Sequence, residues 1–252
     1  MSRQRYFIYL SYFGARYCGW QKQPDLLAVQ QVVSDVLSIV LRKEITAVGA
    51  GRTDAGVHAK MMVAHFDMLT PPDNLPKFVA RLNRFLPQDI AINKIVRVTN
   101  MAHARFSALS RRYEYLVTLQ KNPFLTPLAH RVTQPLNIEQ MNCAAAKLMQ
   151  YSDFTSFSKL HTDVKHNRCV IKRAEWTERD GVWVFTIEAD RFLRNMVRAI
   201  VGTLLDVGTG KRSVEDFCEI IEAKDRCRAG MSAPACGLYL VHVDYPATLF
   251  LE

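Results

Sequence analysis

Asp54 is the residue in this chain best placed to do chemistry. It stands in G-A-G-R-T-D-A-G-V-H-A, residues 49–59, two positions after Arg52 and between Gly51 and Gly56. Glycines on either side let the backbone adopt positive φ, or let another backbone come close, so a substrate reaches the carboxylate without a Cβ in the way. An arginine within about 4 to 6 Å lowers an aspartate pKa by roughly 1 to 3 units, which keeps the group an anion ready to act as nucleophile or base. The same letters also describe an ordinary tight turn, because Asp and Gly are common turn formers. Both readings stand on the residues alone. His58, beside the glycine loop, reads as a hydrogen-bonded scaffold residue rather than an acid or base.

Other chemistries fit less well. Gly49, Ala50 and Gly51 begin like a dinucleotide fingerprint, but the third glycine of G-x-G-x-x-G would fall on Asp54, whose charge repels a pyrophosphate. No G-K-S or G-K-T follows a glycine-rich run, so a Walker loop is excluded. His161, His166 and Cys169 lie close in sequence but lack a fourth ligand, and metal binding is not expected. The six cysteines form no C-x-x-C pair and read as reduced thiols. Tyr113 follows Arg111 and Arg112 at the start of a strand, where a phenol can stack on a displaced base while the arginines hold phosphates. Alternating Tyr113 and Tyr115 equally describe a half-buried strand. Arg198 sits among apolar helical residues, and Leu238 and Leu240 have the spacing of strand core.

The string G-R-T-D-A-G-V-H resembles the catalytic motif of the tRNA pseudouridine synthase A family. Further matches follow in that family's order: Y-F-G-A-R-Y-C-G-W-Q at residues 12–21, H-A-R-F-S-A at 103–108, R-R-Y-E-Y at 111–115 and D-F-T-S-F at 153–157. N-M-V-R-A-I-V-G at 195–202, A-K-D-R at 223–226 and G-L-Y-L-V-H-V-D-Y at 237–245 complete the series. Ala199 and Cys236 depart from residues common in relatives, which touches fine substrate tuning only. The resemblance implies an isomerase that converts uridine to pseudouridine with no cofactor. It implies Asp54 as nucleophile, with Arg198 in the active site paired with that aspartate and Leu238 and Leu240 lining a uracil pocket. A target base that leaves the stack needs an aromatic platform and an arginine to fill the vacated space, and Tyr113 and Arg52 are the catalytic candidates for these parts. It also implies a substrate in the anticodon stem-loop of tRNA, at about positions 38 to 40, and a homodimer. Attack at C1′, attack at C6 and a glycal-type route all stay open.

Charge agrees with an RNA substrate. Thirty-three basic residues against 24 acidic ones give a formal net charge of +9, and 21 of the bases are arginine, whose planar fork holds phosphate in two places at once. Arg16 and Lys22 around Trp20 form one basic–aromatic cluster; Lys159, His161, Lys165, His166 and Arg168 form a second; Arg191 and Arg194 form a third. Any of these is also readable as a solvated face. The amino terminus runs into only a short mixed apolar stretch, so no signal peptide is expected, and no run of about 18 apolar residues predicts a membrane span. A cytoplasmic enzyme fits. A non-catalytic RNA-binding protein and a glycosidase are the competing classes, the latter needing a partner carboxylate for Asp54.

The elements that must position these residues alternate. Strands are expected at residues 5–13, 61–68 and 90–98, with helices at 28–41 and 75–86, the second turning Phe78, Val79, Leu82 and Phe85 inward. The outline is β-α-β-β-α-β. A similar order follows: strand 113–119, helix 138–150, a hairpin of 170–178 and 182–189 across Asp180 and Gly181, helices 195–207 and 213–222, and strand 238–245. Ser213 with Asp216 three positions on predicts a capped helix start. The expectation is an α+β protein of two ferredoxin-like halves with antiparallel sheets and a central active-site cleft, the pseudouridine synthase fold. Residues 1–107 would carry the aspartate loop and 108–252 would complete the cleft, with 123–135 as a proline-punctuated connection.

Overall fold

The computed structural model describes residues 3–69, 72–159 and 166–251. They form two compact units, Met1–Leu109 with Leu240–Glu252, and Ser110–Tyr239. The class is mixed α+β with mostly antiparallel strands, as the sequence pattern predicts. No helix among the described residues is long and apolar enough to cross a membrane.

In the first unit, β1 (Gln4–Tyr12) is followed by α1 (Val29–Leu41), β2 (Val48–Gly49), β3 (His58–Met68), α2 (Leu75–Phe85) and β4 (Ile90–Val98). The strands lie in the order β4-β1-β3-β2, each antiparallel to its neighbour. As a middle strand, β1 is buried without a break from Tyr6 to Leu10. On α1, Val29, Val33, Val36, Leu37 and Val40 recur at helical spacing and are buried. Asn74 caps α2 by accepting from the Lys77 N–H at 2.8 Å. Phe85, expected inward, is 52% exposed. The helix ends there, and Leu86, four residues beyond buried Leu82, takes the inward place instead.

The chain's last residues return to this unit. Tyr245 packs on Phe7 with ring centroids 4.8 Å apart, and Phe250 bridges to Val98.

The second unit contains β5 (Ser110–Thr118), β6 (His130–Arg131), α3 (Ile138–Lys147), β7 (Ile171–Arg179), β8 (Val182–Ala189), α4 (Met196–Gly208) and α5 (Val214–Ala223). β8 lies antiparallel between β5 and β7, and β6 runs parallel to the end of β5. The β7–β8 turn places Asp180 at φ 52 and Gly181 at φ 75, the paired left-handed conformations that suit Asp-Gly in a two-residue hairpin. Ser213 and Asp216 form a reciprocal capping box on α5. α4 is buried along almost its whole length and packs on α3. The last strand, β9 (Leu238–Asp244), crosses the division between the units.

Candidate active site

The Asp54 loop is the connection between β2 and β3. Val48 and Gly49 pair with His65 and Ala64, and the Ala50 N–H continues the ladder to the Val63 carbonyl at 2.7 Å. Beyond this point the chain leaves the sheet. Thr53 anchors it: its hydroxyl lies 2.9 Å from the Tyr12 hydroxyl, and its carbonyl accepts from the Trp20 N–H at 3.3 Å. Asp54 then opens a four-residue turn closed by the Val57 N–H on its carbonyl at 3.2 Å. Gly56 occupies the third position with φ +78, where a type II turn demands glycine. The Gly56 N–H donates to the Tyr17 carbonyl at 3.2 Å. Gly51 has neither positive φ nor close neighbours, so the expectation of a conformational role is met by Gly56 and not by Gly51.

A second loop braces the first. A Cβ on Gly14 would lie 1.9 Å from the Val57 carbonyl oxygen, and one on Gly19, at φ +86, would lie 2.1 Å from the Thr53 carbonyl oxygen. His58 is buried and stacks on Phe13 at 4.6 Å, while its Nδ1 accepts from the Gly14 N–H at 2.9 Å. That bond requires an unprotonated Nδ1, which makes His58 a brace. Asp54 is therefore a half-buried carboxylate on a backbone held from both sides. Arg52 is exposed and makes no ion pair among the described residues. Its geometry here does not include a contact with the Asp54 carboxylate.

In the second unit, Tyr113 and Tyr115 share one face of β5 but differ in use. Tyr115 is fully buried, its hydroxyl bonded to the Pro234 carbonyl at 2.9 Å, and burial pushes its phenol well above the ordinary range. Tyr113 is half-buried and meets Phe192 edge-on at 5.2 Å. Arg112 donates to Glu188 at 2.8 Å and Arg111 to the Asp190 carbonyl at 2.8 Å, so the fold itself occupies some of their donors. Burial pushes the Glu188 carboxyl up, but hydrogen bonds from Arg112 and Ser110 outweigh it and hold the group below its usual range. Arg198 lies in the first turn of α4, half-buried, with Nε donating to the Ala233 carbonyl at 2.7 Å. Asn195 starts that helix from the left-handed region and bonds Ser232 at 2.6 Å. Leu238 and Leu240 are buried at 5% and 1% exposure, in keeping with strand core.

The basic clusters change on folding. Trp20 is 1% exposed and its indole fills the space above Gly49, so it belongs to the core and not to a basic–aromatic surface. Arg16 and Lys22 are exposed, and Arg16 reaches Asp89 at 3.4 Å. The two later clusters merge. The Lys159 N–H donates to the Arg194 carbonyl at 3.1 Å, and the His166 ring meets Arg191 at 3.3 Å and accepts from the Arg168 N–H at 3.2 Å, so residues of both clusters are neighbours in the fold. Lys165 and His161 lie outside the described residues. Among the described residues no three potential metal ligands cluster; Cys169 is buried, and burial pushes its thiol up to about 12.

The sequence profile described as tRNA pseudouridine synthase matches residues 8–107 and 144–246. The chain is 57% identical over 251 residues to tRNA pseudouridine synthase A of Bacteroides fragilis, covering 99% of this chain and 100% of that one. It is 56% identical over 250 residues to the protein of that name from Porphyromonas gingivalis, covering 98% and 99% of the two chains. The chain belongs to the tRNA pseudouridine synthase A family. A more distant member, from Yersinia pseudotuberculosis, is 39% identical over 241 residues, covering 94% of this chain and 90% of its own. Pseudouridine synthases are isomerases, and the reaction of this family is conversion of uridine to pseudouridine in tRNA. The Asp54 turn, with its braced backbone and half-buried carboxylate, is the candidate centre for that reaction.

Proposed function

We propose that this chain isomerises uridine in the tRNA anticodon stem-loop, at about positions 38 to 40, with Asp54 as nucleophile. The observation that carries this reading is the half-buried Asp54 carboxylate on a turn braced by the 13–20 loop. The reaction breaks the bond from ribose C1′ to uracil N1, rotates the base and joins C1′ to C5; C5 loses its proton and N1 gains one. The base must first leave the stack, at a cost of a few kcal/mol. Tyr113 is assigned as its stacking partner, and Arg52 as the side chain that fills the vacated space. Arg198 is assigned to the same reaction, and Leu238 and Leu240 to the uracil pocket. Arg16, Lys22, Lys159, Lys165 and Arg168 are assigned to the phosphate backbone, where each pairing adds salt-sensitive affinity. A cytoplasmic homodimer is the assembly that goes with this reading.

Transfer RNA carrying tritium at uracil C5 tests it. Release of tritium to water, confined to transcripts with uridine in the 3′ side of the anticodon stem-loop, is the expected result. Release of free uracil would make the protein a glycosidase, and binding without release would make it a non-catalytic RNA-binding protein. Tyr113 has its own test. Tyr113→Leu is expected to lose roughly 1 to 3 kcal/mol of base stacking and turn over slowly at unchanged melting temperature. Full activity in Tyr113→Phe together with a marked fall in melting temperature for Tyr113→Leu would return the residue to strand packing.

A further inference from the structure

Residues 102–107 make a second loop that the first unit fixes closely, and it carries no part of the reaction assigned to Asp54. Arg5 donates to the Ala102 carbonyl at 3.0 Å, and the Tyr245 hydroxyl donates to the Ala104 carbonyl at 2.6 Å. The Ala104 N–H is taken by His65 Nδ1 at 3.2 Å. The Arg105 and Phe106 N–H groups both point to His103 Nδ1, at 3.1 and 3.3 Å, and the Ser107 N–H returns to the His103 carbonyl at 2.9 Å. Ala102 and Ala104 are fully buried, yet Phe106 between these anchors is 76% exposed.

An exposed phenylalanine on a mobile loop calls for no explanation, since much of any protein surface is apolar. Here hydrogen bonds fix the backbone of the loop on either side of Phe106, and the ring projects outward from that fixed backbone. His103 packs against the ring at a tilt, its ring centroid 4.4 Å from that of Phe106, and the Arg105 guanidinium lies over the Phe106 ring, 5.5 Å from its centroid. His103 is itself packed on His65 at 4.5 Å. An aromatic ring beside a guanidinium is the pairing that unpaired nucleobases stack on, and the chain's net charge of +9 favours a polyanion over a neutral partner.

We propose that Phe106, with Arg105 beside it, is a stacking platform for an unpaired nucleobase of the tRNA substrate other than the one isomerised. The proposal rests on the tRNA function proposed for this chain. Position in the unit keeps the two bases within reach of one stem-loop. His65, on which the loop is anchored, faces Val48 across the β2–β3 ladder, and Asp54 follows Val48 by six residues. Six extended residues span at most about 20 Å. That is a reach of about six stacked nucleotides at 3.4 Å each, within one stem-loop.

Three variants test this: Phe106→Leu keeps the apolar bulk without the ring face, Phe106→Tyr keeps the face, and Phe106→Trp reports on it. The affinity for a full-length tRNA transcript is measured at fixed salt, beside the melting temperature and the sedimentation of the free protein. Phe106→Leu is expected to weaken binding roughly 5- to 160-fold at unchanged melting temperature, with Phe106→Tyr within about twofold of the parent. The extra tryptophan emission of Phe106→Trp is expected to be quenched by tRNA. Parent-like affinity in Phe106→Leu overturns the proposal. So does weaker binding accompanied by a lower melting temperature, which makes the ring a prop for the loop, or a changed oligomeric state, which makes it a protein interface. Tritium release by the parent protein is scored separately: a parent that binds tRNA without release defeats the assigned reaction and leaves the stacking result standing.

Discussion

Gly14 and Gly19 lack side chains where the backbone of the Asp54 turn takes up the room, at 1.9 and 2.1 Å from where each Cβ would stand. The carboxylate's position is therefore set from outside its own motif. Gly19→Ala must both push back the Thr53 carbonyl and hold φ near +86, and is expected to cost about 1 to 3 kcal/mol of stability and to slow tritium release. Gly51→Ala meets open space and is expected to stay within about 0.5 kcal/mol of the parent. Thermal unfolding of the two variants side by side checks this, and equal losses would mean that the brace does not position the turn. From sequence, the G-R-T-D-A-G-V-H string is legible because its chemistry is local. What Gly19 does is not, since the atom it avoids lies 34 residues away on a different loop.

At the scale of elements, the loop of residues 102–107 depends on two imidazoles whose Nδ1 atoms accept hydrogen bonds, so both must be neutral. Burial, reinforced by Arg5 and His103, lowers His65 to about 4 against the opposing pull of Asp67, with Arg3 adding to the lowering. His103 is lowered in the same direction, by burial first and then by Arg5 and Arg105. The sign follows from linkage. The unfolded chain binds protons to these histidines at pH values where the folded chain does not, so stability is present in full above about 6.5 and is lost as pH falls toward 4. His65→Asn supplies a non-titrating acceptor for the Ala104 N–H, and its melting temperature is expected to fall less steeply over that range. Parallel curves for variant and parent would show that His65 does not carry the dependence. Strands, the Asp180–Gly181 turn and the Ser213 cap are readable in sequence because each is fixed by neighbours a few residues apart. β6, two residues long, offers no periodicity to read, and Phe85 misleads because the helical pattern does not announce that the helix stops there.

Over the whole molecule, a net charge of +9 gives the attraction for RNA, and the fold decides where it is concentrated. Lys159 and Arg194 are 35 positions apart in sequence yet adjacent in the second unit, which is why they read as separate clusters before folding. Neutralising Lys159, Arg168 and Arg194 together is expected to flatten the slope of log affinity against log salt by about 0.7 to 0.9 for each phosphate that the variant no longer neutralises. An unchanged slope in a salt titration would make the patch a solvated face. Neither patch nor platform performs the isomerisation, which is assigned to one carboxylate. Asp54→Asn keeps the size of the side chain and removes its charge, while tRNA affinity comes mainly from phosphates held elsewhere. Measured on C5-tritiated tRNA, the purified variant is expected to bind within a few-fold of the parent and to release no tritium. Turnover within about tenfold of the parent would contradict the account, because an amide cannot serve as the anionic nucleophile.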